Sequence, residues 1–142
     1  MSKWLHQGVE ITSLEQVPEG AVGFIYLITH SSGKYYVGKK QLFSSRRTRL
    51  SKREKEATMS RKTFKTTVSE SSWLDYWSSC KELQQEVKEL GEEHFQREII
   101  EFCFSKRDLN YREVWHQFRL DVLENNTYNG NIASRWFKVK DK

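Results

Sequence analysis

The sequence is short of cysteine. Cys80 and Cys103 are its only two, 23 positions apart and outside any CxxC or Cys/His cluster. That pattern excludes zinc modules and disulfide scaffolds and fits a reducing cytoplasm. Long apolar runs are also missing: none approaches the roughly 20 residues a bilayer-spanning helix needs, and Met1 to Glu10 lacks the apolar stretch of a signal peptide. The expectation is a soluble, cytoplasmic protein with no membrane partner. No internal repeat and no second domain are visible, so the 142 residues are expected to form one domain, with wholesale disorder excluded by 13% aromatic residues despite a mean hydropathy of −0.79.

Charge is present but unevenly placed. The chain carries a formal +5, yet residues 39–65 alone hold 11 basic and two acidic residues, a net +9, leaving −4 on the other 115 residues. A basic block on an otherwise acidic chain is the footprint of a nucleic-acid contact, because Lys and Arg displace counterions condensed on phosphate. Lys40, Arg47, Arg49, Lys52, Arg53, Arg61 and Lys62 are the candidate contacts; a solvated loop is the plainer alternative. The block has no Gly or Pro, and reads as an extended arm or irregular helix between ordered elements.

Around this block the pattern predicts a small α+β fold. Gly8 to Ser13 reads as a short edge strand. Gly23 to Thr29 and Lys34 to Gly38 read as a β-hairpin with the three-residue loop Ser31-Ser32-Gly33, and in that register Tyr26 and Tyr36 share a sheet face. Ser78 or Ser79 would cap a helix ended by Gly91, with Glu82 completing a capping box for Ser79 and Leu83, Val87 and Leu90 as its apolar stripe. Phe95 to Phe104 predicts a third strand. Ser105 with Asp108 opens a helix running to about Glu124, on which Tyr111, Trp115, Phe118 and Val122 form one stripe while Leu109, Glu113, His116 and Leu120 lie nearly opposite. Both sides read as covered. A carboxylate framed by leucines is costly to bury unless paired or bound to a metal; the plainer reading puts Glu113 at a solvated edge, bridged to Arg112 or Arg119. Asn125-Asn126 and Asn129-Gly130 mark a turn, and Trp136 to Val139 a terminal strand.

Gly-Phe-Ile-Tyr at 23–26 and Tyr-Val-Gly at 36–38 on this hairpin resemble the paired motif that names the GIY-YIG nuclease family. The companions agree in order and context: Lys39 directly after Gly38, Arg46 ten residues after Tyr36, Glu113 on the late helix, and Asn129 in a Tyr-Asn pair. The resemblance covers about residues 23–133. It implies a three-stranded antiparallel sheet flanked by helices, with a basic insertion at about 39–70 after the second strand, and an endonuclease hydrolysing DNA phosphodiester bonds with one Mg²⁺ or Mn²⁺ ion per site.

On that resemblance, Tyr26 is the general base, assisted by Tyr36; its phenol, with a pKa near 10, needs nearby positive charge such as Lys39 to act at neutral pH. Arg46, favoured over Arg47, would hold the scissile phosphate. Glu113 would be the single protein ligand of the metal, and Asn129 would orient the site. Leu50 stands where the family commonly has a further His or Tyr; Tyr76 could replace it from beyond the insertion, a core aromatic being the plainer reading. His116, one turn after Glu113, is a further auxiliary candidate, although a lone helix His is more often structural.

The resemblance also suggests a phage-encoded enzyme of homing or DNA-degrading type, acting in a bacterial host cytoplasm. Appended recognition modules of homing relatives are not seen, so specificity is expected from the basic arm, the ends or another subunit. The alternative is a catalytically inactive nucleic-acid-binding module of the same fold. A protein that docks an acidic partner through its arm would leave the Tyr, Lys, Arg, Glu and Asn set unexplained. Strand count per cut, site preference, DNA against RNA, and monomer against dimer stay open.

Overall fold

Gly23–His30, rich in aromatic and β-branched residues, forms an internal strand of the sheet with both of its faces covered. The computed structural model describes residues 3–58 and 64–139. It contains strands β1 (Trp4–His6), β2 (Val9–Ile11), β3 (Gly23–His30) and β4 (Tyr35–Gln41), then β5 (Phe43–Arg49), helix α1 (Lys52–Thr58) and β6 (Phe64–Glu70). Helix α2 (Lys81–Leu90), β7 (Phe95–Cys103), α3 (Lys106–Arg119) and the two-residue strands β8 (Asn131–Ile132) and β9 (Trp136–Phe137) follow.

The main sheet has five strands in the order β2-β1-β7-β3-β4, and only the β1–β7 pairing is parallel. The expected three antiparallel strands are β7-β3-β4 at one end of it, and the expected count of three is corrected to five by β1 and β2, which extend the sheet beyond β7. β2 is the expected edge strand. β1 carries too few residues to show a period, and it is fixed instead by burial of Trp4, whose indole Nε1 donates to the Trp73 carbonyl at 2.7 Å. The β3–β4 hairpin has the expected register, Tyr26 opposite Gly38 and Ile28 opposite Tyr36, with Gly33 at φ +96° in the three-residue loop. That left-handed conformation is one glycine adopts without the steric cost a Cβ brings.

Each sheet face has its own core. On one, Phe24, Tyr26, Ile28 and Ile99 pack with Trp4, Trp73, Leu83 and Val87; on the other, Ile25, Val37 and Cys103 pack with Leu109 of α3, Val122 and Ile132. Arg97 pins the first face: its Nη1 donates to the carbonyls of Leu74 and Tyr76 at 3.0 and 2.8 Å while the guanidinium lies between the Trp4 and Trp77 rings. Burial lowers its pKa to about 10. This holds the 73–76 turn, and Tyr76 with it, against the sheet.

Three helix expectations need correction. Cys80 rather than Ser78 or Ser79 caps α2, with no side-chain cap bond, because the Ser78 hydroxyl instead accepts from the Cys80 amide at 3.1 Å; Leu90 is exposed. α3 is capped by Ser105, whose side chain accepts from the Asp108 amide as predicted, but ends at Arg119, after which the chain turns through Asp121 at φ +49°. The third concerns its faces. Tyr111, Trp115 and Phe118 are exposed, and the inward side is formed by Leu109, His116 and Gln117. The apolar stripe therefore points to solvent, and polar side chains reach the sheet.

The basic segment is an exposed two-stranded antiparallel ribbon, β5 with β6, bearing α1 beyond β5. The Ser71 amide donates to the Leu42 carbonyl at 2.9 Å and closes its base.

Candidate active site at the free edge of β4

β4 is the last strand of the main sheet, so the backbone groups of Tyr35, Val37, Lys39 and Gln41 point away from β3 and need other partners. They receive them in sequence. The Tyr128 amide donates to the Tyr35 carbonyl at 2.8 Å. Asn129 accepts from the Val37 amide at 3.0 Å and donates to the Val37 carbonyl at 2.9 Å, acting as a one-residue strand, and Gln117 Nε2 donates to that carbonyl at 3.1 Å. The Glu113 carboxylate lies beside the Lys39 amide, close enough for that amide to lower its pKa, and Ser71 Oγ donates to the Gln41 carbonyl at 2.6 Å. Glu113 and Asn129 are thus brought to neighbouring positions on one strand edge.

The tyrosines arrive from the other face. Tyr26 is 1% exposed, with its ring 6.0 Å from that of Tyr36 and 5.9 Å from that of Tyr76. Its hydroxyl lies directly over Gly38: a Cβ at that position would fall 2.6 Å from Tyr26 Oη. Gly38 is the gap through which a β3 side chain reaches the β4 edge. Glu113 sits across the strand, close enough that its charge raises the pKa of both Tyr26 and Tyr36.

Burial pushes the Tyr26 phenol well above its usual value, with further upward contributions from Tyr36, Tyr76 and Glu113. Burial also raises Tyr36, against a lowering contact with Ser79. The expectation that Lys39 lowers Tyr26 is therefore corrected. Lys39 follows Gly38 by one residue and so faces α3, where its Nζ meets Asn110 Oδ1 and lies 3.9 Å from Glu113 Oε1. Glu113 is raised above the ordinary carboxylate range by burial, partly offset by Lys39. Neither Arg112 nor Arg119 bridges it.

Arg112 instead joins Glu101 on β7, through Nε at 2.8 and 3.1 Å, and His116 Nε2 contacts the same carboxylate at 2.8 Å. Arg119, which can only donate, lies 3.1 Å from His116 Nδ1. Nδ1 must then accept and Nε2 carry the proton toward Glu101. Burial lowers His116's pKa. His116 thus has both ring nitrogens engaged, by Glu101 and by Arg119. Tyr76 is half-buried beside Tyr26, with Lys40 Nζ 4.3 Å above its ring.

Arg46 is not brought into the cluster. It stands in β5 opposite Thr67, on a strand rather than a helix, exposed and without a partner among the described residues. Arg47 and Arg49 are also on β5, the Arg47 guanidinium 4.4 Å from the Phe64 ring centroid, while Lys52 and Arg53 open α1. Arg61 and Lys62 lie outside the described residues. Residues that sequence reasoning missed are Gln117 and Asn110, whose signal was their spacing four after and three before Glu113 on the same helix face.

Five of the six expected site residues, Tyr26, Tyr36, Lys39, Glu113 and Asn129, thus lie along the β4 edge around Gly38, and the sixth, Arg46, does not. The family model described as "Putative endonuclease segE, GIY-YIG domain" matches residues 4–138. The chain belongs to this GIY-YIG endonuclease family, and the family implies a nuclease whose substrate is DNA. Comparisons with curated proteins and with solved structures found no match. Among the described residues no helix is long and apolar enough to cross a membrane.

Proposed function

We propose that the chain is a divalent-metal-dependent DNA endonuclease, and the observation that carries this reading is the Tyr26–Gly38–Glu113 arrangement across β4. Among the described residues Glu113 is the carboxylate at the cluster, and no group of three or more His, Cys, Asp or Glu forms a cage. The donor set fits a hard ion held by one carboxylate, with water and phosphate oxygens completing the shell. Mg²⁺ or Mn²⁺ held there would supply positive charge to the non-bridging phosphate oxygens and the departing 3′ oxygen.

The chain's own groups do the rest. Tyr36 orients the attacking water, and Tyr26, as phenolate, takes its proton as the P–O bond forms and the bond to the 3′ oxygen breaks. With its pKa raised by burial, Tyr26 is mostly protonated at neutral pH, so the rate rises with pH into the alkaline range. Lys39 stabilises the Glu113 carboxylate, and Asn129 fixes the β4 edge. Origin in a phage, whether of homing or DNA-degrading type, belongs to this reading and rests on the family resemblance alone.

A second reading, a DNA-binding module without turnover, is favoured by the position of Arg46 outside the cluster. Supercoiled plasmid separates the two. Mg²⁺-dependent nicking or linearisation that EDTA and Glu113→Ala both abolish is the outcome expected of the enzyme; tight binding with no cutting in Mg²⁺ or Mn²⁺ selects the module.

A further inference from the structure

The ribbon has two chemically different faces. Side chains alternate along a strand, so the register Ser44↔Ser69, Arg46↔Thr67 and Thr48↔Lys65 places these six residues on one face, and Phe43↔Glu70, Ser45↔Val68, Arg47↔Thr66 and Arg49↔Phe64 on the other. The first face is entirely hydroxyls and cations, with no acidic residue. Lys65 Nζ is tied to Glu54 at 2.7 Å, which leaves Arg46 at the centre as its one unpartnered cation among the described residues. The second face is mixed: Phe43, Phe64 and Val68 are exposed apolar side chains, and Arg47 lies over the Phe64 ring.

A hairpin with no core of its own, exposed on both faces, is not explained by stability. A two-stranded ribbon of this kind suits a nucleic-acid groove. The major groove of B-DNA, about 12 Å wide, admits a two-stranded ribbon, and its base edges present acceptors and donors that Arg, Ser and Thr match, Arg binding guanine O6 and N7 with two bonds. The ribbon begins one residue after β4 ends, with Leu42 between them, so it leaves the candidate active site directly.

Given the DNA-acting reading above, we infer that the β5–β6 ribbon is the sequence-reading element, inserted in the major groove with its Ser44, Arg46, Thr48, Thr67 and Ser69 face toward the bases. Arg46 is the central specificity residue rather than a group that touches the scissile phosphate. Arg47 and Arg49, on the opposite face, contact phosphates without reading sequence.

The test is selection of bound duplexes from a random-sequence pool by the full chain in EDTA, for the parent, Arg46→Ala, Thr67→Val and Arg47→Ala. The parent should enrich a consensus containing guanine, and methylation of that guanine at N7 should block binding while a minor-groove ligand should not compete. Arg46→Ala should lose the preference at one or two base pairs, by about five- to a hundredfold each, and become insensitive to N7 methylation there. Thr67→Val should alter an adjacent position. Arg47→Ala should keep the consensus and bind every sequence more weakly.

The inference is overturned if the parent enriches no consensus, or if Arg46→Ala and Thr67→Val keep the parent consensus. A consensus shifted by Arg47→Ala alone also overturns it. Plasmid cleavage in Mg²⁺ is read separately, so loss of the endonuclease reading and loss of groove reading are distinct results. Unfolding midpoints of the variants, expected to equal the parent's at these exposed positions, keep a folding defect from being read as a specificity change.

Discussion

Gly38 is the position where the smallest change should do the most. A methyl group there would lie 2.6 Å from Tyr26 Oη and 2.9 Å from Tyr36 Cε1, so both rings must move. Gly38→Ala is expected to cost about 1–3 kcal/mol of stability and to remove cleavage more completely than that loss explains, measured as cutting well below the unfolding temperature. Asn129→Ala strips the Val37 amide of its acceptor and should cost a similar amount, about 1–3 kcal/mol in urea unfolding. Asn129→Asp should be no better, since a carboxylate oxygen would then face the Val37 carbonyl. The tyrosine pair and its register were readable from the sequence because alternation and a glycine-ended three-residue loop fix them together. The pKa directions were not readable. They depend on Lys39 facing α3 while Tyr26 faces Tyr76, a one-residue parity that decides which charge each group feels.

Helix α3 and the ribbon are the elements whose sequence pattern is least informative about their environment. An apolar stripe ordinarily marks the buried side of a helix, but on α3 the inward polar groups each have a specific partner: Glu113 with Lys39, His116 with Glu101, Gln117 with Val37. Those partners lie on distant strands, which is why the direction was invisible in the sequence. The ribbon shows no two-residue hydrophobic alternation toward a core because it has no core to face. Replacing residues 43–70 by a short Gly-Ser link should therefore leave the five-stranded sheet folded, as the Ser71–Leu42 bond already brings the ends together. The expected readout is an unchanged near-ultraviolet spectrum with DNA affinity reduced severalfold or more at 100 mM salt and a shallower dependence of log affinity on log salt. Ser105→Ala, removing the α3 cap, should cost about 1 kcal/mol by thermal unfolding.

At the scale of the whole molecule, charge and pH set the working range. His116 has a folded pKa below its unfolded value, so its neutral form stabilises the fold above about pH 6.5, and that contribution is lost as pH falls through the unfolded pKa toward the folded one. Glu101, held below the usual carboxylate range by Arg112 and His116 against its own burial, keeps its contribution to more acid pH. Stability should thus decline first as pH falls below about 6.5, and His116→Gln should flatten that limb in a pH series of unfolding midpoints. Glu113 moves in the opposite sense. Its raised pKa means that the carboxylate needed for a metal ion is lost at a higher pH than for an ordinary glutamate, so metal-dependent cutting should fall off on the acid side at a higher pH than an unperturbed glutamate ligand would give. The central claim is that Tyr26 and Glu113, on opposite faces of β4, serve one reaction. It is tested most directly by single-turnover cleavage of one defined duplex in Mg²⁺ by the parent, Tyr26→Phe, Glu113→Gln and the double variant. The account predicts a loss of about a hundredfold or more for each single change and a double variant no slower than the slower single. Full activity in either single variant, or losses that multiply in the double, would contradict it.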